Sequence, residues 1–556
     1  MKGQKILEEV VSSIEDQEFR WSDKLINYFR DRINLKSDFG DGFLKLINSR
    51  EYKEAYLVEL SRKVGFDVAV VSDARMRTAV PPEYSHKLNV AGYERSLVPA
   101  LEFAQIMPAF SLIKVPPISF EEIKWVKQWS RKMPFPYHVM LYIPFEEEWR
   151  DLMRITHKEH KKLVQSFAKF LSSSRGDVIN QREYLVDRFE DLYNSGVLHK
   201  YLPKRESRIL HWPFMTIEKD HERFDNHNDV VFFSANDFSL SKTTLYDILN
   251  SETEAIPMYR KIEGGAFRDI DRVVRDMLKA MKELENKTGS PVWIKPRYSA
   301  SGLGQINYTM PQYAKIFDFQ ARDDVRAELL KSALYEENPN EIPDYVVEED
   351  LRPHINGIDT PGEYEPSGWM IPDWGFLPNT FATFLTDGHG CYLADILSFD
   401  PSKMGVNKEI ILKNNKAVRE IAQGLSGHYQ VGIFEVDMIY TTSNRAVGHD
   451  PNLRRGGHST AVELIGKPGF EKGAFNLEFS LHNPRRDISD IEFYNHVCQN
   501  MSNRGVFPYS TAFGYVGQQG KLKFKGVCPW KVFEEIHTGG KIVKEGERFF
   551  NDLSQI

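Results

Sequence analysis

The chain has 556 residues, 41% hydrophobic and 27% charged, with 36 Gly and 28 Pro. That mix excludes collagen-like, low-complexity and wholly disordered chains, and the length argues for several folding units at roughly 100–200 residues each. With 72 basic against 79 acidic side chains the net charge is −7, so the general basic field of a nucleic-acid binder is missing.

Residues 6–35 read as a helix, because Ile6, Val10, Ile14, Trp21, Leu25 and Phe29 recur at spacings near three or four. The start of the chain has no apolar core of a signal peptide, and nowhere do 18 apolar residues run together, so the expected address is the cytoplasm with no membrane partner. Short β-branched runs predict strands at 66–72, 139–144 and 230–234, with a charged helical stretch over 145–205. A helix is expected at 239–249 and a strongly amphipathic one at 267–285. Strands follow at 292–296, 345–348, 380–385, 392–397 and 431–440, with a turn at 387–390. Alternating strands and long helices predict an α/β or α+β fold with mixed sheets. Cys391, Cys498 and Cys528 are widely spaced without a CxxC pair, which argues against a disulfide framework or a cysteine zinc site.

Three segments carry the chemistry. In Pro291–Gly304 a strand delivers Lys295 and a loop Ser299-Ala300-Ser301-Gly302-Leu303-Gly304 follows. Small side chains let backbone N–H groups approach phosphate oxygens, and the ammonium neutralises them; a flexible hairpin loop is the plain alternative. The segment is neither a GK[ST] P-loop nor a GxGxxG turn. In the strand Gly432–Tyr440, alternation places Glu435 and Asp437 on one face, and Asp450 and Asn452 stand two apart on the next segment. Their oxygens suit Mg²⁺, and Arg454 beside them is a fixed cation for a developing anion. The third segment, Tyr345–Leu351, is an apolar strand ending in acids.

In this order the segments resemble the ATP-grasp superfamily, which includes D-alanine–D-alanine ligase, glutathione synthetase and the L-amino-acid and peptide ligases. The resemblance covers about 235–460 and includes Ser241-Lys242-Thr243-Thr244-Leu245 as an opening helix. It implies that Lys242 and Lys295 contact ATP phosphates beneath a lid formed by Ser299, Ser301, Gly302 and Gly304. It further implies that Glu348 accepts from the adenine amino group, with the backbone near Leu351 completing the hinge. Asp437, Asp450 and Asn452 would hold Mg²⁺, and Arg454 would steady an acyl phosphate and a tetrahedral intermediate. Two departures stand out: the ribose position falls on His354, Ile355 or Asn356, with Asp359 the nearest acid, and the second metal carboxylate is Asp450 where glutamate is usual. The segment 362–379 reads as an insertion shaping a substrate pocket. The long preceding region is similar to that of pheganomycin-type peptide ligases.

The implied division is an α/β unit at 1–235, a small ATP-binding subdomain at 236–375, a core at 376–470 and a C-terminal extension at 471–556. The implied activity is an ATP- and Mg²⁺-dependent ligation of a carboxylate, an amino acid or peptide, to an amine through an acyl phosphate. A phosphotransferase on the same fold and a nucleotide-binding scaffold remain as alternatives, and the family allows a homodimer. Outside these segments, His157 and His160 stand three apart in a basic helix without the HExxH order of a metal site, His221 and His227 read as solvent-facing, and His449 and His458 flank the expected metal site. Lys521, Lys523 and Lys525 read as solvated charges on a strand after the turn 517–520, and 483–487 as a surface turn.

Overall fold

The computed structural model describes residues 57–72, 97–142, 253–296, 345–351, 363–398, 404–425, 432–452, 459–509 and 522–538 apart from short gaps, with isolated stretches between them. The expected helix at 6–35 lies outside the described residues, as does most of 239–249.

The first sheet is parallel and six-stranded. Its strands are β1 (Val68–Ser72), β2 (Ala109–Lys114), β3 (Tyr137–Tyr142), β4 (Val178–Ile179), β5 (Ile209–Pro213) and β6 (Val230–Phe232), in the order β4-β3-β2-β1-β5-β6. Val68, Ala69, Val70 and Val71 are at most 2% exposed, as a parallel strand covered on both faces requires. Among the described residues, helices α1 (Leu97–Phe103) and α2 (Phe120–Ser130) lie between the first three strands. The Ser119 hydroxyl caps α2 by accepting from the Glu122 N–H at 3.0 Å, which satisfies a donor the helix itself leaves open. The expectation of helix throughout 145–205 is corrected at Val178–Ile179, where a β-branched pair adds to the sheet beside Val139–Met140.

A second, four-stranded sheet follows, with β7 (Tyr259–Ile262), β9 (Val292–Pro296), β10 (Ile306–Tyr308) and β12 (Tyr345–Glu349) in the order β10-β9-β12-β7; a short ribbon pairs β8 (Gly265–Ala266) with β11 (Glu341–Ile342). Helix α3 (Ile270–Thr288) buries Ile270, Val273, Val274, Met277, Ala280, Met281 and Leu284 against it, one stripe at the helical period. Gly289 ends the helix at φ 70°, its N–H bonding the Glu285 carbonyl, a left-handed cap that favours glycine.

The third sheet has eight strands: β13 (Glu363–Ile371), β14 (Gly375–Thr386), β15 (Tyr392–Ser398), β16 (Gly432–Tyr440), β17 (Ala446–Asn452), β18 (Gly473–Leu481), β19 (Phe507–Tyr509) and β20 (Leu522–Pro529). Their order is β17-β16-β13-β14-β15-β18-β20-β19. The segment expected as an insertion is therefore the β13–β14 hairpin at the centre of this sheet. Its Pro, Gly and Trp obscured the strand period; a register shift after Ser367 absorbs the irregularity. Residues beyond 471 continue the same sheet. Lys525, expected in solvent, is 8% exposed in β20 between Glu478 and Tyr509 of the neighbouring strands.

The two faces of this sheet differ. One carries Phe434, Val436 and Met438, Tyr364, Phe381, Ile396, Phe475 and Leu477, all buried. Helices α4 (Lys408–Leu425) and α6 (Asp490–Asn503) pack on the sheet, and α5 (Ser459–Leu464) packs on α1 and β18. The other face carries Asp437 and Glu435, Ser367 and Glu365, Thr380, Asp395 and Asn476, a polar row that strand alternation and register bring to one side. Between the first sheet and the third, Trp125 and Trp129 of α2 meet Phe507 at ring distances of 5.4 and 6.0 Å, and the Trp125 indole donates to the Ser502 hydroxyl at 3.1 Å.

Candidate active site

The antiparallel register of β9 and β12 places Lys295 opposite Val346 and Glu348 opposite Trp293. Lys295 and Glu348 are thus a diagonal pair on one face, within reach of long side chains. Lys295 Nζ lies 2.5 Å from Glu348 Oε1, with the two side chains 4% and 2% exposed. The same ammonium donates to the His449 carbonyl at 2.9 Å and lies 3.5 Å from its Nδ1. Tyr246 completes the group: its hydroxyl donates to Glu348 Oε2 at 2.5 Å and lies 3.3 Å from the His449 carbonyl. Burial, followed by the Glu348 charge, pushes the Tyr246 phenol well above its ordinary value, so it stays a donor. An adenine amino group would meet a Glu348 carboxylate that already holds two donors.

The Lys295 contact reaches a strand of the third sheet next to the carboxylates. Asp437 of β16 pairs directly with Asp450 of β17, and Glu435 with Asn452, with a register shift after Asp437 that leaves His449 as the extra residue. The Asn452 amide nitrogen lies 3.4 Å from Asp437 Oδ1 and 3.5 Å from the Asp450 carbonyl; a half-turn of the amide would present its oxygen there instead. Asp437, Asp450 and Asn452 are half-buried and Glu435 is fully buried. Among the described residues no three His, Cys, Asp or Glu side chains converge as a closed metal cage. Two carboxylates and one amide fit Mg²⁺ all the same, since that ion usually takes one or two carboxylates and completes its shell with water and phosphate oxygens.

The sheets are fixed against each other here. Gly448 N donates to the Ala255 carbonyl at 2.8 Å. A Cβ on Gly448 would lie 2.6 Å from both Ile421 Cδ1 and Val436 Cγ1, so the close packing of α4 on β17 requires glycine. Glu349 Oε1 accepts from the Met258 N–H at 3.1 Å and lies 3.5 Å from Arg445 Nη1. Leu351, expected at the nucleotide hinge, packs on Ile439 and Val447 of the third sheet.

Of the expected site residues, Lys295, Glu348, Leu351, Asp437, Asp450 and Asn452 lie among the described residues; Lys242, Ser299, Ser301, Gly302, Gly304 and Arg454, like His458, lie outside them. Lys295 and Glu348 come together, as do Asp437, Asp450 and Asn452, and His449 joins the two groups. Tyr246 was not singled out by its residue type, because a tyrosine in an amphipathic helix reads as core. Elsewhere, Arg485 and Asp487 form an exposed ion pair in the expected surface turn, and His157 is exposed. No described helix is long and apolar enough to cross a membrane.

No protein family and no curated protein matches the chain. Among solved structures it is similar to N5-carboxyaminoimidazole synthetase from Staphylococcus aureus, at 11% identity over 88% of this chain and 96% of that one, with a TM-score of 0.43. Biotin carboxylase from Campylobacter jejuni, in a β-γ-ATP complex, is 9% identical over 83% of this chain and 87% of that one, with a TM-score of 0.42. The biotin carboxylase domain dimer of Hydrogenobacter thermophilus 2-oxoglutarate carboxylase, with MgADP, ADP and bicarbonate, is 9% identical over 75% and 76%, with a TM-score of 0.38. At these identities, what the chain does is read from its own residues.

Proposed function

We propose that the chain is an ATP-grasp enzyme that joins a carboxylate, an amino acid or small peptide, to an amine at the expense of ATP. The observation that carries this reading is the bond from Lys295 to the His449 carbonyl at 2.9 Å, because it sets a buried cation of the small sheet beside the residue that precedes Asp450. A phosphate-binding lysine and a magnesium-suited carboxylate pair thereby share one place.

On this reading the γ-phosphoryl group lies between Lys295 and the β16–β17 hairpin. Asp437, Asp450 and Asn452 would hold Mg²⁺, which when bound neutralises the charge spreading over the transferring phosphoryl oxygens. The Lys295 ammonium has three donor directions, and phosphate oxygens would replace one of its present partners. The substrate carboxylate attacks the γ-phosphorus in line, ADP leaves, and the acyl phosphate is attacked by the amine. Phosphate departs as the amide forms. Arg454, two residues after Asn452 in the sequence, would hold the oxyanion. Sheet membership moves β13 into the core, so on this reading the small ATP-binding part ends before Glu363.

The test is ADP and phosphate release with Mg²⁺-ATP over a grid of acids and amines, with hydroxylamine trapping in parallel. Hydroxamate and amine-dependent phosphate release are expected from wild type and lost in Lys295→Ala and Asp450→Ala. Full activity in either variant would overturn the site. Phosphorylated product without amine dependence would instead establish a phosphotransferase.

A further inference from the structure

The Glu348 carboxylate, the Lys295 ammonium, the His449 carbonyl and the Tyr246 hydroxyl close into one ring. Glu348 Oε1 lies 2.5 Å from Lys295 Nζ, and Oε2 accepts from the Tyr246 hydroxyl at 2.5 Å. Both donors also reach the His449 carbonyl, at 2.9 and 3.3 Å. The hydroxyl has a single hydrogen to give, and the nearer, charged oxygen takes it. Tyr246 is itself held in place. Its backbone carbonyl accepts from the Tyr259 hydroxyl, and the two rings pack with centroids 4.6 Å apart. Tyr259 is the β7 residue directly opposite Glu348. Tyr246 is 2% exposed and Glu348 1%, a setting in which hydrogen bonds are electrostatically strong.

We propose that Tyr246 is a positioning residue for nucleobase recognition, fixing the Glu348 carboxylate in the orientation that accepts from the 6-amino group of adenine. The proposal rests on the nucleotide site of the ligase reading and adds a residue that governs the choice of base through Glu348. The argument is one of rotation. The last torsion of a glutamate side chain is broad and weakly restrained. Held by Lys295 alone, the carboxylate is able to swing both oxygens toward the ammonium and change the direction in which it accepts. Donors from two different segments, one on each oxygen, fix its plane instead. Burial, followed by the Glu348 charge, keeps the phenol protonated, so Tyr246 donates and the carboxylate remains the acceptor. An ionised carboxylate accepts only, so it attracts an amino group at position 6 of the base and repels a carbonyl there.

The experiment is titration calorimetry on the full chain with Mg²⁺. It compares ATP with purine riboside 5′-triphosphate, which lacks the 6-amino group, each as its non-hydrolysable β,γ-imido form. Wild type should bind the adenine nucleotide on the order of 10–100-fold more tightly, as expected for a hydrogen bond to a charged group. Tyr246→Phe should shrink that preference by about fivefold or more, chiefly by weakening the adenine nucleotide. Replacing Tyr246 by 4-aminophenylalanine, which keeps the ring and an N–H donor, should restore most of it. Tyr509→Phe is the control for lost stability, because it removes another buried 2.5 Å hydrogen bond, to Asn476 near the opposite edge of the large sheet. It should melt lower with the preference unchanged.

An unchanged preference in Tyr246→Phe overturns the proposal. So does a wild type that binds the two nucleotides equally, a result that needs no variant to fold. An equal fall in Tyr509→Phe also overturns it, since lost stability would then account for the effect. The two readings fail separately. A preference that depends on Tyr246 without amine-dependent turnover removes the ligase and keeps the Tyr246 assignment, whereas amine-dependent turnover with a preference indifferent to Tyr246 does the reverse.

Discussion

Lys295 and Glu348 allow a quantitative check on the centre of the site. Their charged atoms are 2.5 Å apart and their side chains are 4% and 2% exposed. Glu348→Gln would leave the Lys295 ammonium buried without its carboxylate, still donating to the His449 carbonyl at 2.9 Å. Removing one partner of a buried pair costs about 3–5 kcal/mol. Lys295→Met takes the ammonium from the buried carboxylate in the same way, while Tyr246 still donates to it. The double variant Lys295→Met with Glu348→Gln removes both charges of the pair and keeps an acceptor for Tyr246. It should therefore cost less than either single change, giving a coupling of at least about 3 kcal/mol. At about 2–4 °C per kcal/mol for a unit of 150–250 residues, each single variant should melt roughly 6–20 °C lower, with the double recovering much of the loss. Thermal melts supply the cycle, and hydrogen exchange at the β9 and β12 amides localises it. Single effects that add to within about 0.5 kcal/mol would refute a direct buried pair.

Gly448→Ala should lower stability by about 1–3 kcal/mol through overpacking, and because Gly448 adjoins His449 and Asp450 it should also weaken Mg²⁺ binding, read by titration calorimetry. Asp437→Asn and Asp450→Asn should each raise the Mg²⁺ concentration needed for half-maximal turnover by tenfold or more, on the order expected for a lost charged ligand; an unchanged Mg²⁺ requirement would count against both. Tyr246→Phe removes a hydrogen bond to a charged group and should cost about 1.5–3 kcal/mol. The sign with pH follows from the raised phenol: its stabilisation is complete below the unfolded tyrosine value of about 10 and is lost as pH rises beyond it. Urea midpoints from pH 8 to 11 should therefore fall less steeply in the Phe variant than in wild type. Burial pushes the Cys528 thiol far up, so N-ethylmaleimide should label that peptide only after denaturation, as mass mapping would show.

The sequence was most legible where local pattern and tertiary demand agree. Val292–Pro296 and Gly432–Tyr440 are short β-favouring stretches, apolar apart from Lys295, Glu435 and Asp437, and both are strands within one residue of expectation. The amphipathic stripe of α3 was equally plain; only its first residues, Phe267–Asp269, tighten into a 3₁₀ turn. Glu363–Ile371 was not legible, because proline, glycine and acids break the period and only pairing on both sides makes it a strand. Lys525 was misjudged for a similar reason: its neighbours come from β18 and β19, distant in sequence. At the site, residue types pointed to Asp437, Asp450 and Asn452, while the partners of Glu348 depend on contacts spanning 102 residues to Tyr246 and were invisible in any local window.

The strand order of the largest sheet also governs how the protein is made. Strand β15 ends at Ser398 and its outer neighbour β18 begins at Gly473, an interval of 473 − 398 = 75 residues. At about 5–20 residues per second, a ribosome needs roughly 4–15 s to cover it. Until then β15 presents an open hydrogen-bonding edge with Ile396 and Leu397, residues that end up buried, and an open apolar edge invites pairing with other chains. The half that carries Asp437 and Asp450 is complete by Asn452, so it can close first. Slowing translation between these strands would lengthen the exposure of that edge, and a chaperone acting on nascent chains would be needed most in this window.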